Sequence, residues 1–157
     1  MMKQLAIETI TQLLQSYNYS ITQTDEAVLE AQKKRPLQIV VGNQFTTGDL
    51  EDALQKLHEV REEGSYAVIA LPSMEAKAGS YDPTEFFEQY QDVLTSQDIN
   101  LWGVEVDTGR LYMPIGSMPS FDYKLMTKLM ESKSMNLMAQ KVKERVFKRQ
   151  VLDKKEA

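Results

Sequence analysis

The sequence predicts an α/β protein, a single three-layer domain around a mixed central sheet. Three observations carry this. Leu37-Gln38-Ile39-Val40-Val41 and Tyr66-Ala67-Val68-Ile69-Ala70-Leu71 are nearly unbroken apolar runs of strand length, the pattern of strands covered on both faces. Between them, Leu50, Ala53, Leu54, Leu57 and Val60 recur at the helical period, which makes a crossover helix and hence a parallel, right-handed strand pair. Ahead of them, short stretches with β-type patterning predict a meander leading into the crossover.

The elements follow in order. Ala6, Ile7, Ile10, Leu13, Leu14 and Tyr17 fall on one face of a first helix, over residues 3–17, which Asn18 stops. Tyr19 to Thr24 and Ala27 to Gln32 alternate with period two, so each is expected to keep one wet face. Lys33-Lys34-Arg35-Pro36 makes the turn into the third strand. Thr46, Thr47 and Asp49 offer caps for the helix from Asp49 to Glu63, and Gly64 is placed to end it. Pro72 is expected to close the strand that starts at Tyr66. Asp82-Pro83-Thr84-Glu85 is a helix start, with an Asp cap and proline at the first position; Phe86, Phe87, Tyr90 and Leu94 supply its apolar face. Leu101 to Val106 and Leu111 to Ile115 form a hairpin around Asp107-Thr108-Gly109-Arg110. The predicted order is α-β-β-β-α-β-α-β-β followed by a long C-terminal helix. Residues 1–116 form the α/β domain, and 117–157 form a basic, Met-rich helical extension packed on it.

Composition narrows the function classes. With 157 residues the chain fits one domain, and 42% hydrophobic with 26% charged residues is a globular balance. No apolar run reaches the ~18 residues that a membrane span needs. The start, Met1-Met2-Lys3-Gln4-Leu5, lacks a continuous apolar core of the secretory type, so the cytoplasm is the expected location. The absence of cysteine excludes disulfides, thiolate nucleophiles and cysteine-ligated metals. The net charge of −5 conceals a division. Residues 1–123 hold 8 Lys/Arg against 19 Asp/Glu, whereas residues 124–157 hold 10 against 4. Only the terminal segment is suited to a polyanion.

The element order, with Tyr-Ala-Val-Ile-Ala-Leu-Pro after the second helix and Ile99-Asn100-Leu101-Trp102-Gly103-Val104-Glu105-Val106 as a later strand, resembles the restriction-endonuclease-like superfamily, the PD-(D/E)XK nucleases, over about residues 3–115. In its active members an acid on the second strand and an acid-x-lysine pair on the third hold Mg²⁺, and the lysine assists the attacking water. Here Val41 or Gly42 stands where the third-strand acid belongs, and Asn43 or Gln44 where the lysine belongs. Glu30 matches the second-strand acid position and Glu8 a first-helix acid. The resemblance therefore implies a degenerate, inactive nuclease fold, with Mg²⁺ expected only if Glu8, Glu30 and Gln44 make a noncanonical site.

Other residues are weighed against plainer duties. Glu30, flanked by Leu29 and Ala31, reads as a solvent-facing strand residue. His58 is the only histidine and has no cysteine to join it at a zinc site. Gly42-Asn43-Gln44-Phe45-Thr46-Thr47-Gly48-Asp49 joins a strand to a helix, where an anion can bind, but lacks the lysine and glycine spacing of a phosphate loop. Trp102 reads as core. Six of the nine methionines lie between positions 113 and 138. On a terminal helix Met135, Met138, Val142 and Val146 share one face, suited to packing or to a partner helix. Lys141, Lys143, Arg145, Lys148 and Arg149 supply the positive charge around it. The leading expectation is a binding domain that engages a nucleic acid or an acidic partner through these five residues. The alternatives are a protein-interaction or homo-oligomeric module, and a divalent-metal-dependent nuclease.

Overall fold

The computed structural model describes residues 2–74 and 83–130, with backbone alone for 83–87. The class is α/β, as the sequence predicts, with a six-stranded mixed sheet and four helices. The elements are α1 (Met2–Ser16), β1 (Ser20–Asp25), β2 (Val28–Gln32), β3 (Leu37–Val41), α2 (Thr47–Val60), β4 (Tyr66–Ser73), α3 (Pro83–Ser96), β5 (Ile99–Glu105), β6 (Arg110–Ile115) and α4 (Tyr123–Met130). The strands lie in chain order, β1-β2-β3-β4-β5-β6. β3, β4 and β5 are mutually parallel, and β1, β2 and β6 complete antiparallel pairs. Among the described residues no helix is long and apolar enough to cross a membrane.

Both crossovers, β3-α2-β4 and β4-α3-β5, step in the same direction across the sheet. Right-handed connections then put α2 and α3 on one face. Their proximity is direct: the Tyr90 hydroxyl donates to Glu51 at 2.7 Å, and Arg61 Nη1 donates to the Gln97 carbonyl at 2.6 Å. α1 covers the other face, burying Ala6, Ile7, Ile10 and Leu14 against β3, β4 and β5. Trp102, fully buried, belongs to this core.

Two differences from the sequence expectation have physical reasons. β4 runs through Pro72 to Ser73. Its last partner on β3 is Val41, opposite Ala70, so the missing proline N–H falls where that ladder has ended; β5 continues alongside to Glu105. α2 stops at Val60, before Gly64. The buried Gln38 side chain reaches it from β3: Nε2 donates to the Val60 carbonyl at 2.8 Å, while Oε1 accepts from the Glu62 N–H at 2.6 Å and the Ser65 hydroxyl at 2.8 Å. The single polar residue of a buried strand thus ends a helix, and Gly64, at φ +85°, turns the chain into β4. β2 keeps an alternation: Leu29 and Ala31 are buried on one face, while on the other Val28 is buried, Glu30 half-buried and Gln32 exposed. β1, at the edge, is exposed except for half-buried Ile21.

The β5–β6 hairpin is pinned by a close approach. A Cβ on Gly103 would lie 2.0 Å from Tyr112 Cζ, so the ring fills the space that a side chain would need. The segment after β6 folds back on the sheet. Met118 and Phe121 pack against the core, and Leu125 and Leu129 are buried from α4.

Candidate functional site

Where the resemblance places metal chemistry, the structure holds an acidic rim. Val41 and Gly42 end β3 in the interior, and Asn43 and Gln44 are exposed. Gly42 is packed against β4: its N–H donates to the Ala70 carbonyl at 2.9 Å, and a Cβ there would meet Leu71 at 2.6 Å. A cavity of about 130 Å³ opens beside it, lined by Asp49, Asp52, Lys3 and Lys56. Both lysines are occupied. Lys56 binds Asp25 at 2.8 Å and Lys3 binds Glu26 at 3.3 Å. The Lys56 partnership holds the Asp25 carboxyl below the ordinary aspartate range and lifts the Lys56 ammonium above its own. Thr46 caps α2, its Oγ1 accepting from the Asp49 N–H at 3.1 Å and donating to Asp49 Oδ2 at 3.0 Å, so the Asp49 carboxylate stands at the helix start. The helix start is already served by a carboxylate, a poor host for a phosphate.

The three residual nuclease candidates are not brought together. Glu8 is exposed on α1. Glu30 pairs with Gln38, whose side chain reaches α2, so Glu30 lies on the opposite face of the sheet from α1. Gln44 is exposed on the β3–α2 loop. Among the described residues no three His, Asp or Glu side chains are grouped to hold a metal ion. His58 is exposed on α2, where its ring nitrogen hydrogen-bonds Gln97.

The opposite pole, at the start of the parallel strands, is built differently. The β2–β3 turn presents Lys33, Lys34 and Arg35, all exposed. Lys33 donates to the Tyr17 carbonyl at 2.9 Å and to Asp122 Oδ2 at 3.1 Å, and lies 5.1 Å from the centre of the Tyr19 ring. Asp122 is buried and caps α4, accepting from the N–H groups of Lys124 and Leu125 at 3.1 and 3.2 Å. Burial alone would raise its pKa; the Tyr19 hydroxyl, the Lys33 ammonium and the Leu125 N–H outweigh that and hold it below the ordinary value. The buried Tyr19 hydroxyl has no well-formed hydrogen bond, yet burial first and the Asp122 carboxylate second push its pKa far up.

Arg35 is the centre of this pole. Its guanidinium carbon lies 5.1 Å from the centre of the Phe121 ring and 5.8 Å from that of Tyr66. The two rings meet edge to face at 5.3 Å. Tyr66 is anchored by its hydroxyl, which donates to the Ser117 carbonyl at 2.6 Å, and burial raises its pKa well above the ordinary phenol. Beside them lies a cavity of about 170 Å³, lined by Arg35, Tyr66, Asp98, Asn100, Ser117 and Phe121, among others. Asn100 is fixed by both ends of its amide, Nδ2 to the Ala67 carbonyl at 3.0 Å and Oδ1 from the Ser117 N–H at 2.8 Å. Tyr123, 75% exposed, stands next to Asp122.

Local sequence marks none of this assembly except the basic turn. A second group lies at the far ends of β4 and β5, where buried Ser73 sits 3.3 Å from the Tyr112 hydroxyl and pairs in register with buried Glu105. Lys141, Lys143, Arg145, Lys148 and Arg149, and the stripe of Met135, Met138, Val142 and Val146, lie outside the described residues. No protein-family model matches the sequence, and no curated protein resembles it closely enough to establish a relationship.

Proposed function

We propose that this chain is a binding domain that holds a nucleic acid at its basic pole. The observation that carries this reading is the convergence of Lys33, Lys34 and Arg35 with the rings of Tyr66, Phe121 and exposed Tyr123 at one end of a body that is otherwise acidic. Cations that follow phosphates, interleaved with aromatic faces, are what a nucleic-acid strand requires. Lys124 and Lys128 on α4 add charge beside this pole, and the chain continues from there into the segment that carries Lys141, Lys143, Arg145, Lys148 and Arg149. The acidic rim at the other end, with Asp25, Glu26, Asp49 and Asp52, repels a polyanion and so orients it. As a degenerate relative of the nuclease fold, the domain would keep a binding role without the metal site.

The test is fluorescence anisotropy of the full chain with single-stranded and duplex oligonucleotides across a salt series. Affinity is expected to fall linearly on a log–log plot, with a slope of about −0.7 per contacted phosphate for a single strand. Replacing Lys141, Lys143, Arg145, Lys148 and Arg149 together with glutamine should weaken binding and flatten the slope. Absence of binding to every oligonucleotide form at low salt overturns the reading.

A further inference from the structure

We propose that the cavity beside Arg35 is a pocket for a single guanine base of a single-stranded nucleic acid, an inference that rests on the nucleic-acid reading above. Four observations meet here.

The first is an unspent donor set. Arg35 Nε donates to the Gly64 carbonyl at 3.4 Å, and the guanidinium lies over two rings, but its terminal nitrogens have no acceptor among the described residues. The second is an unspent acceptor set. Asp98 lines the same cavity, and among the described residues its carboxylate takes part in no hydrogen bond or ion pair; its backbone alone is engaged, the N–H by the Thr95 carbonyl at 3.1 Å and the carbonyl by Arg61 Nη2 at 3.3 Å. Opposite charges that face one cavity without forming an ion pair across it leave room for a group that bridges them.

The third is size. A cavity of about 150 Å³ admits a benzene-sized ring. At about 170 Å³ and open on one side, this one suits one base, with its sugar and phosphate left at the mouth. Lys34, one residue from Arg35 in the chain and exposed, adds positive charge to the same turn. The fourth is rigidity. Phe121 and Tyr66 give an aromatic wall, Tyr66 is tied to Ser117, and Asn100 is locked at both ends of its amide. A preorganised wall adds little ordering cost on binding.

The choice among bases follows from the two unspent groups. Guanine offers the acceptor pair N7 and O6 that an arginine fork engages, and its N2 amino group, with the adjacent ring N–H, is the donor edge that a carboxylate accepts. Adenine has no two adjacent acceptors for Arg35, and the N3 and O2 acceptors of cytosine share one edge with its amino group, so neither base meets the fork and the carboxylate on separate edges as guanine does. Asp98 holds a left-handed backbone at φ +59°, as asparagine also does readily, so an Asp98→Asn variant removes the charge without disturbing the turn.

The experiment compares the full chain with equal-length single strands of uracil that carry one central G, A or C, together with GMP and AMP as free probes. The G strand should bind roughly tenfold tighter than the others. Asp98→Asn should erase that preference, leaving the G strand no tighter than the A and C strands, and Arg35→Lys, which keeps the charge but loses the fork, should erase it too. GMP, and not AMP, should shift the Tyr66 and Phe121 ring resonances. Equal binding of all strands, unchanged by Asp98→Asn, overturns the pocket and leaves the nucleic-acid reading standing. Asp98-dependent GMP binding with no strand bound overturns the nucleic-acid reading and keeps a guanine site. Silence from strands and GMP alike overturns both.

Discussion

Lys33 and Asp122, 89 residues apart in the chain, meet at 3.1 Å and tie the β2–β3 turn to the first turn of α4. The carboxylate does two jobs, capping the helix and neutralising the lysine. Asp122→Asn keeps an acceptor for the cap and loses only the charge, whereas Asp122→Ala loses both. Urea denaturation should show the alanine variant less stable than the asparagine variant by about 1 kcal/mol. Because the folded Asp122 sits below its ordinary pKa, its contribution is complete above pH ~4 and lost as pH falls through the folded value. Wild type should therefore lose stability on acidification more steeply than Asp122→Asn; parallel curves would remove this assignment.

Gln38 should be the costliest polar residue to replace. Gln38→Leu orphans the Val60 carbonyl, the Glu62 N–H and one bond of the Ser65 hydroxyl in a buried place, at about 1–3 kcal/mol for each group left unsatisfied. Hydrogen exchange at the Glu62 amide should accelerate well beyond what global destabilisation predicts. An unchanged Glu62 rate would mean that the clamp does not hold.

Gly103 and Tyr112 should behave as one unit. Gly103→Ala forces the Tyr112 ring away, and overpacking of this kind costs about 1–3 kcal/mol. In a Tyr112→Ala background the same change should cost little, so a double-mutant cycle reads the coupling directly. Additive losses would contradict the contact.

Of the seven tyrosines, Tyr19 and Tyr66 should resist ionisation. Their raised folded pKa values contribute stability that is full below pH ~10 and lost as the pH climbs above it. Absorbance titration should show the Tyr19 and Tyr66 phenols ionising only with alkaline unfolding, and Tyr19→Phe should reduce the late absorbance step by one phenol.

What the sequence discloses follows from how local the signal is. β3 is read to the residue, and β4 from its first residue, because their short apolar runs are rich in β-branched residues and are bounded by Pro36, Gly42 and Gly64. β4 overshoots its expected end because whether proline stops a strand depends on which neighbour is still paired, and that is set by β3 and β5. Gln38 looks like an interruption in sequence and is a helix terminator in space. The pocket beside Arg35 is invisible in one dimension: Arg35, Asp98 and Phe121 come from three connections and Tyr66 from the start of β4, and only the sheet brings them to one end. The basic run Lys33-Lys34-Arg35 was legible as a turn, not as half of a site.

The strictly sequential strand order bears on how the chain acquires its fold. Every ladder joins strands that are neighbours in the chain, so no pairing has to close a loop longer than one helix and its connections. Such a sheet can grow by adding each strand to the last as it becomes available, with β1, β2 and β3 assembling first and each crossover extending a template already in place. Pairing between chain neighbours alone leaves few occasions for a strand to find the wrong partner.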